Sequence, residues 1–393
     1  MNKTMLLIAL VVVGLFMEAL PASAVEWAIV GARAAGMGGA GVAVTTDAYA
    51  TYWNPAGLAM TKTIDIRVGF SAQAVDRLGV FDTVKDINGI NLNDTANIAA
   101  NAAKLQSLIN TINRPGASVS AIGAGGVYIK GYFGDHAFGV NISDVATGGA
   151  FVSSRVTCSG AGSLSTVCPG GTTGTLSING QFALRGLEAR QAAFSYAYAF
   201  ADRTFSIGVT GKLIQGAAYS STTNIRGSND DVSVLSDNLG KAKVSTAFGI
   251  DVGAMYRPSS WLRVGIVAKD INQPTFDAPG GGEFKLTPQV RGGVAVNPWE
   301  SLTVTVDADV TSNKTLVPDI KSRVISLGAE QTIFSELLSL RIGAFKNTAD
   351  ANSYITPTAG FGIRLFALRV DVGGGYDFRE RGALASGTVA MTF

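Results

Sequence analysis

The strongest constraint on the fold of this chain is an alternation of apolar and polar residues that recurs from residue 63 to the carboxyl terminus. In residues 302–310, LTVTVDADV, every even-numbered position is apolar and every odd-numbered position is polar. Successive side chains of a β-strand point to opposite faces of the sheet. The pattern therefore predicts strands with one apolar face and one polar face.

The alternation and the turn residues between its segments predict about fourteen strands. They lie at 63–76, 117–133, 136–151, 177–200, 204–217, 245–256, 261–270, 286–297, 302–311, 321–332, 337–347, 355–365, 367–377 and 384–393. Short turns such as Gly134-Asp135 alternate with longer loops such as residues 152–176. Short turns, long loops and an even strand number are typical of bacterial outer-membrane barrels.

A soluble β-sandwich would also have one apolar face, but three features favour a membrane barrel. The last strand ends at Phe393, with Met391 and Val389 in phase. Aromatic residues gather at the predicted strand ends, and charged residues avoid the apolar face. An open sheet edge cannot be satisfied in hydrocarbon, so the strands must close. The predicted fold is all-β: a closed antiparallel transmembrane β-barrel.

The composition agrees with this fold. Charged residues make up 15% of the chain and hydrophobic residues 47%, whereas ordinary soluble proteins carry about 25% charged residues. Beyond the first two dozen residues there is no apolar run of the ~18 residues that a membrane helix needs. The net charge of +2 and the lack of a basic cluster predict no nucleic-acid partner.

The polar face carries charges of both signs, which favours a lumen of paired charges packed against a plug over a wide ion pore. The charged residues assigned to this face are Asp65, Arg67, Lys212, Asp251, Arg263, Lys269, Arg291, Asp307, Asp309, Glu330, Arg341, Arg364, Arg369 and Asp371.

Residues 1–24 have the form of a cleavable signal peptide, with Lys3 before an apolar run and Ala22-Ser23-Ala24 after it. The run is too short for a membrane anchor and lacks a basic flank. We therefore expect export and a mature chain that begins at Val25. Residues 25–62 are predicted to form an amino-terminal hatch, or plug, and residues 63–393 the barrel.

Glycines in the hatch fit the spacing of a dinucleotide-binding loop, at Gly36, Gly38 and Gly41. Such a loop needs a preceding strand and a following helix within a βαβ unit, and the sequence predicts neither. Tight packing of the backbone inside a barrel accounts for the glycines better. No cofactor is expected.

The same segment resembles a known family. Small residues, Asp47 and then residues 52–58, YWNPAGL, are similar to the hatch of the FadL-type long-chain fatty-acid transporters and their PorV-like relatives. The similarity is greatest to the TraF-like subgroup, named after a plasmid-transfer operon. In the fatty-acid transporters the hatch carries an Asn-Pro-Ala element, matched here by Asn54, Pro55 and Ala56. Asn54 can cap and Pro55 can open a short helix, so the element can pin the plug or contact a ligand.

The resemblance implies passive uptake or binding of hydrophobic, fatty-acid-like molecules, along a path that opens sideways at a kink in the third strand. Gly148 and Gly149 are the candidates for a bulge there. The TraF-like relatives imply an alternative, an outer-membrane scaffold or component of a conjugal transfer or secretion apparatus. A continuous apolar channel beside the hatch would distinguish transport from scaffolding. Expected partners are outer-membrane lipid, the barrel-assembly machinery, and either a hydrophobic small molecule or transfer and secretion proteins.

The sequence does not favour an enzyme. A serine hydrolase needs a histidine beside its nucleophile, and the one histidine, His136, follows a predicted tight turn. Cys158 and Cys168 lie in a stretch rich in Gly, Ser and Thr of an exported chain, where an oxidising compartment favours a local disulfide. Since no further histidine accompanies them, no metal site is expected.

The loop between the first two strands predicts a helix within residues 82–115. Asn93 or Asp94 can cap it and Pro115 ends it. Its apolar residues, Ile98, Ala102, Leu105, Ile109 and Ile112, recur at helical spacing. This stripe must be covered by the barrel rim, a greasy entry groove or a partner.

Overall fold

The computed structural model describes residues 26–90, 96–160, 168, 177–224, 242–318 and 320–393. The predicted signal peptide and the two predicted helix caps, Asn93 and Asp94, lie outside these residues. Fourteen strands form one closed barrel. They are β1 (Asp65–Arg77), β2 (Ser118–Phe133), β3 (His136–Ser159), β4 (Ser177–Phe200), β5 (Phe205–Asn224), β6 (Lys243–Ser259), β7 (Leu262–Lys269), β8 (Gln289–Trp299), β9 (Leu302–Asp309), β10 (Val324–Ile333), β11 (Leu338–Asn347), β12 (Thr356–Leu365), β13 (Leu368–Asp377) and β14 (Gly382–Thr392).

The barrel closes because its first and last strands pair. Each strand is antiparallel to its neighbours in sequence, and β1 pairs with β14 from Asp65↔Thr392 to Ala74↔Ala383. The backbone of Phe393 continues this seam, since its N–H donates to Ile64 O at 2.8 Å and its carbonyl accepts from Ile64 N at 3.0 Å. The prediction of a closed 14-stranded antiparallel barrel is confirmed.

The outer face of the barrel is apolar and exposed, as the alternation predicts. Ile342 on β11 and Phe70 on β1 are 68% and 65% exposed, while the polar Arg341 and Ser71 beside them in sequence are buried inside. In a closed barrel such an apolar belt faces lipid. None of the described helices is both long enough and apolar enough to cross a membrane.

The wall is much taller on one side than on the other. Strands β2 to β6 contain 16 to 24 residues each, whereas the remaining strands contain 8 to 13. At ~3.3 Å per residue and a tilt of about 40°, 24 residues rise roughly 60 Å, far more than the ~25 Å apolar band of a membrane barrel. The excess lies at the end of the long loops, because the short turns join these strands at the opposite end.

Two helices in the first long loop pack on this tall wall: α3 (Val80–Asn88) and α4 (Ile98–Ile112). Four residues of the α4 stripe are buried with Val156 of β3 and Ile178 of β4: Ala102, Leu105, Ile109 and Ile112. Asn113 fastens the end of α4, since its amide donates to Val156 O and accepts from Val156 N. Of the three predicted covers for the stripe, the structure shows the barrel rim. Helix α4 follows Asn97, not either predicted cap.

Cys158 joins the same cluster through a disulfide to Cys168, with a Cα–Cα distance of 5.0 Å. The remaining regular elements are short. Inside the barrel lie α1 (Ala32–Gly36), α2 (Ala50–Trp53) and a 3-10 helix (Pro55–Met60). Two small hairpins, Thr275–Asp277 with Glu283–Lys285 and Asn313–Lys314 with Lys321–Ser322, lie in the long loops after β7 and β9, the first with a 3-10 turn at Pro279–Gly281.

Candidate functional site in the barrel lumen

Residues 26–62, which we call the hatch, run through the barrel from the long-loop end to the short-turn end. Glu26 lies beside Arg77, at the long-loop end of β1. Residues 46 and 61 lie over Lys130 of β2, near the short turns, where its Nζ donates to both carbonyl oxygens at 2.7 and 3.1 Å. All residues from 27 to 60 are buried except for three partly exposed ones. The hatch thus fills the middle of the lumen.

The Asn-Pro-Ala element sits at the short-turn end. Asn54 is fully buried at the amino-terminal end of the 3-10 helix, with Pro55 in the first helical position. Its side-chain oxygen accepts from Ala56 N, and its Nδ2 donates to Val42 O in the hatch and to Ala254 O of β6, each at 3.2 Å. The contacts of Asn54 are therefore with the protein's own backbone, which is what pinning the plug requires.

Three glycines of the wall make room for this element: Gly208 on β5, Gly253 on β6 and Gly265 on β7. A Cβ atom at Gly253 would fall on Asn54 Oδ1, and one at Gly208 would press on the Pro55–Ala56 peptide. A side chain at either position would force the element away from the wall. Gly208, Gly253 and Gly265 thus form the seat of the hatch, the part of the wall against which the Asn-Pro-Ala element packs.

A chain of buried ion pairs ties α1 to the opposite wall. Arg33 of the hatch donates to Glu330 of β10 at 2.6 Å, and Glu330 also accepts from Arg341 of β11 at 2.6 Å. Arg341 in turn lies 2.8 Å from Asp371 of β13, which pairs with Arg369. Burial alone would lower the pKa of Arg33, but the Glu330 carboxylate outweighs it and raises that pKa. The hatch is thus electrostatically locked to three strands.

Wall carboxylates also hold the hatch backbone. Asp307 of β9 accepts from the N–H groups of Gly41 and Val42 at 2.7 and 2.8 Å, and Asp65 of β1 accepts from Ala48 N at 2.9 Å. The lumenal charges therefore occur mostly in neutralising pairs or in contacts to backbone N–H groups. This arrangement suits a packed interior better than an open aqueous pore.

A pocket of about 570 Å³, measured as space free of atoms including its open mouth, lies between the hatch and strands β3, β4, β5, β7 and β8. Its apolar lining is Val145, Leu187, Ala189, Ile214 and Leu286. Its polar lining includes Lys212, Lys269 and Asp270. Ligand sites typically combine a mainly apolar lining with a few placed polar groups, so this pocket is the candidate binding site.

Trp27 and Tyr52 of the hatch form one wall of the pocket around Lys269. The Lys269 Nζ lies 3.4 Å from the centre of the Tyr52 ring and 4.5 Å from that of Trp27. Arg291 covers the Trp27 ring at 4.4 Å. Burial raises the pKa of Tyr52, so its hydroxyl stays protonated and donates to Ala28 O at 2.8 Å. The rings are thereby fixed in place.

A second, smaller pocket lies beside Gly148 of β3, between Ile122 and the loop residues Leu316 and Val317. The predicted bulge at Gly148 and Gly149 is wrong: both residues pair in regular register with β2 and with β4. The register shifts instead between Val152 and Thr157. Gly148 and Gly149 are hydrogen-bonded to strands on both sides, which keeps them in regular register. Residues 152–157 have only β4 as a neighbour, because β2 begins at Ser118, opposite Phe151.

Several features of the site escape a reading of the sequence. The aromatic contacts of Lys269 and the seat formed by Gly208, Gly253 and Gly265 join residues far apart in the chain. A usable signal exists for the glycines, because all three fall in the inward-facing phase of their strands. The loop after β7 carries no comparable signal, yet it places Phe276, fully buried, against Gly216 of β5.

Comparison with known proteins gives one family match. A family model described as "F plasmid transfer operon, TraF, protein" matches residues 51–309, about two thirds of the chain. No curated protein sequence matches this chain significantly.

Solved structures share the architecture at low identity. The toluene transporter TbuX of Ralstonia pickettii is 14% identical, with a TM-score of 0.54 over 93% of this chain and 98% of that one. The toluene transporter TodX of Pseudomonas putida is 13% identical, with a TM-score of 0.51 over 94% and 98%. The CymD monoaromatic hydrocarbon channel is 15% identical, with a TM-score of 0.51 over 94% and 98%. At these identities the likeness establishes a common fold.

Proposed function

The chain belongs to the family described as "F plasmid transfer operon, TraF, protein". From this membership and the plugged barrel, we propose that it is an outer-membrane protein of FadL type. In this proposal it passively takes up or binds hydrophobic small molecules. The outer-membrane location, export by a cleavable signal peptide, and lipid and barrel-assembly partners are parts of this proposal. Its apolar belt and closed sheet support the location, because a closed sheet satisfies every backbone group in lipid.

One observation carries the transport proposal: the largely apolar pocket beside the hatch, on the long-loop side of the packed Asn-Pro-Ala seat. A mainly apolar recess with a few polar groups is typical of a small-molecule site, and neither a wide aqueous pore nor a purely structural barrel requires one. The solved barrels of the same fold are themselves described as toluene transporters and as a monoaromatic hydrocarbon channel. They are channels and transporters and not enzymes, which supports a non-enzymatic role.

The uptake test uses a Gram-negative host that lacks its own channel for hydrophobic solutes, so that lipopolysaccharide limits entry. We expect the expressed protein to raise the initial uptake of radiolabelled oleate or toluene. Leu187, 2% exposed and lining the pocket, offers the decisive variant. Leu187→Trp fills the pocket and should lower uptake toward that of cells without the protein.

The matched control is Leu340→Trp, because Leu340 faces outward from β11 and is 48% exposed. Both variants must first show the gel mobility of a folded barrel, since added volume in a packed interior can destabilise it by about 1–3 kcal/mol. Equal uptake with and without the wild-type protein would contradict the transport proposal.

A second candidate function rests on the family description alone. A barrel component of a transfer or secretion apparatus would use its loops and tall wall to bind proteins. Deleting the gene for this protein from a donor cell would then lower the frequency of conjugation. Expression of the Leu187→Trp variant in the deletion strain would restore that frequency as well as the wild type does. A transporter would show the opposite pattern, in which the same variant loses uptake.

A further inference from the structure

The pocket contains two buried hydrogen-bond donors without acceptors. Lys269 and Trp27 are each 7% exposed and both line the pocket. Within the described part of the chain, Trp27 Nε1 has no hydrogen-bond partner. The Lys269 Nζ has its two ring contacts but no hydrogen bond or salt bridge to any described residue. Leaving a buried donor unsatisfied is costly, so a bound molecule that brings an acceptor to these two groups would be favoured.

The nearby acids do not supply this acceptor. Asp270 and Asp251 both pair with Lys212, at 2.6 and 2.8 Å. Asp309 is taken by Arg291, at 2.5 Å. Glu26, also in the pocket lining, is partly buried; loss of contact with water raises its pKa, and the charge that opposes this rise comes from Arg77. Lys212 lines the pocket, and Arg291 and Lys269 lie over Trp27. Among these three cations, Lys269 alone has no carboxylate partner in the described part of the chain.

Opposite the donors, the pocket wall is apolar. Val145, Leu187, Ala189, Ile214 and Leu286 come from β3, β4, β5 and the loop before β8. A ligand that matched both parts of the pocket would place a hydrogen-bond acceptor at Lys269 and Trp27 and an apolar group against these five side chains. A pure hydrocarbon would bury the two donors without satisfying them.

The size of the pocket limits the body. At about 30 Å³ for each water-sized atom, 570 Å³ would hold at most about 19 non-hydrogen atoms. Part of that volume is the open mouth, so an enclosed ligand must be well below this limit. The pocket therefore fits an aromatic or short-chain molecule and not a long extended chain.

We propose that the pocket binds a compact amphipathic acid, whose carboxylate is held by Lys269 Nζ and Trp27 Nε1 and whose aromatic or short alkyl body lies on the apolar wall. This inference rests on the proposed function and deepens it, by naming the ligand class of the same pocket. It also predicts a link to the hatch, because a carboxylate at Lys269 competes with the ring contacts that hold Trp27 and Tyr52.

The test is calorimetric titration of the purified full-length protein in detergent with benzoate and, separately, with toluene. We expect benzoate to bind more tightly than toluene. Lys269→Met keeps the apolar stem and removes the charge, so it should weaken benzoate binding at least about tenfold and leave toluene binding within about twofold. Trp27→Phe keeps a ring and removes the N–H donor, so it should weaken benzoate binding less.

Lys346→Met is the matched control, because Lys346 is an exposed residue of β11 away from the lumen, and it should change neither affinity. Palmitate should bind no better than benzoate. Equal binding of toluene and benzoate to the wild type, no binding of benzoate, or full benzoate affinity in Lys269→Met would each overturn the inference. If benzoate binding fails in one of these ways but toluene binding or oleate uptake persists, the ligand class is wrong and the proposed transport still stands. Failure of the ligand class is thus distinguishable from failure of the proposed function.

Discussion

At the scale of single residues, the lumen separates two kinds of charge that look alike in the sequence. Asp307, Glu330 and Arg341 are buried on the inner face of three consecutive strands, β9, β10 and β11. Each contacts the hatch or another lumenal charge. Glu336 and Arg364 pair at the short-turn rim of the barrel, where Arg364 is partly exposed and Glu336 is exposed. The first kind fastens the plug, whereas the second contributes little because water screens it.

Glu330→Gln should loosen the hatch. The substitution leaves the buried Arg341 and the partly exposed Arg33 without their shared carboxylate. Breaking a fully buried ion pair from one side costs about 3–5 kcal/mol, and the exposure of Arg33 and the remaining Arg341–Asp371 contact make the cost here smaller. We expect a lower temperature for conversion of the folded to the unfolded gel band, together with more frequent channel openings in planar bilayers.

Glu336→Gln makes the same chemical change in the exposed pair with Arg364, where an ion pair is worth ~0–1 kcal/mol. It should leave both measurements close to wild type. If the two variants behave alike, the Arg33–Glu330 contact does not hold the hatch.

Much of this residue-scale detail is beyond the sequence. The alternation correctly assigned Glu330, Arg341 and Asp371 to one face, because strand phase depends only on local sequence. It could not say that Arg33, roughly 300 positions earlier, would reach Glu330. Partners so distant in the chain are set by barrel closure and by the path of the hatch.

At the scale of elements, the hatch behaves as a unit with two anchor points. One is the seat of Asn54, Pro55 and Ala56 among three wall glycines. The other is the end of α1 and the turn after it, where Gly38 N donates to the Thr358 hydroxyl of β12 and that hydroxyl donates to Gly36 O. Between them, Trp53 is 1% exposed and fills the centre of the lumen.

Deleting residues 25–60 should open the barrel. The strands and the terminal Phe393 remain, so the shortened protein should still insert and show the mobility of a folded barrel. Its charged lumen would be filled by water, and single-channel conductance and small-solute leakage should rise sharply above those of the parent.

Asn54→Ala and Pro55→Ala should give a smaller rise, since loss of a helix cap costs about 0.5–2 kcal/mol and α1 stays anchored. A deletion variant that inserts normally but conducts no more than the parent would show that the segment is not a plug.

The strands themselves were largely predictable, and the reason is physical. Each barrel strand must show lipid one face and the lumen the other, which leaves a period-two pattern in the sequence. The upper ends of β3 and β5 escape this pattern. Beyond the membrane neither face of the wall must be apolar, so the alternation fades, and the sequence predicts loops at residues 152–159 and 218–224 where the structure continues β3 and β5.

At the scale of the whole molecule, closure makes the sheet a single cooperative body. No described barrel strand has a free edge, because β1 pairs with β14 and every other strand has two neighbours. Detergent therefore finds no exposed ladder at which to begin unfolding the sheet.

The folded barrel should accordingly resist dodecyl sulfate at room temperature. Protein that is not boiled is expected to migrate faster on a denaturing gel than boiled protein, because the closed barrel stays compact. Circular dichroism of the same sample should show β-structure. Identical mobility with a helical spectrum would contradict the fold.

The path of the hatch also sets an order for assembly. The hatch leads directly into β1 at the short-turn end, and its residues Tyr49, Thr51 and Pro55 pack against the wall glycines Gly69, Gly139 and Gly208. A segment that fits so closely cannot be threaded into a finished cylinder. The seam between β1 and β14 must therefore stay apart until residues 26–62 have settled inside, so that the pairing of β14 with β1 encloses the hatch.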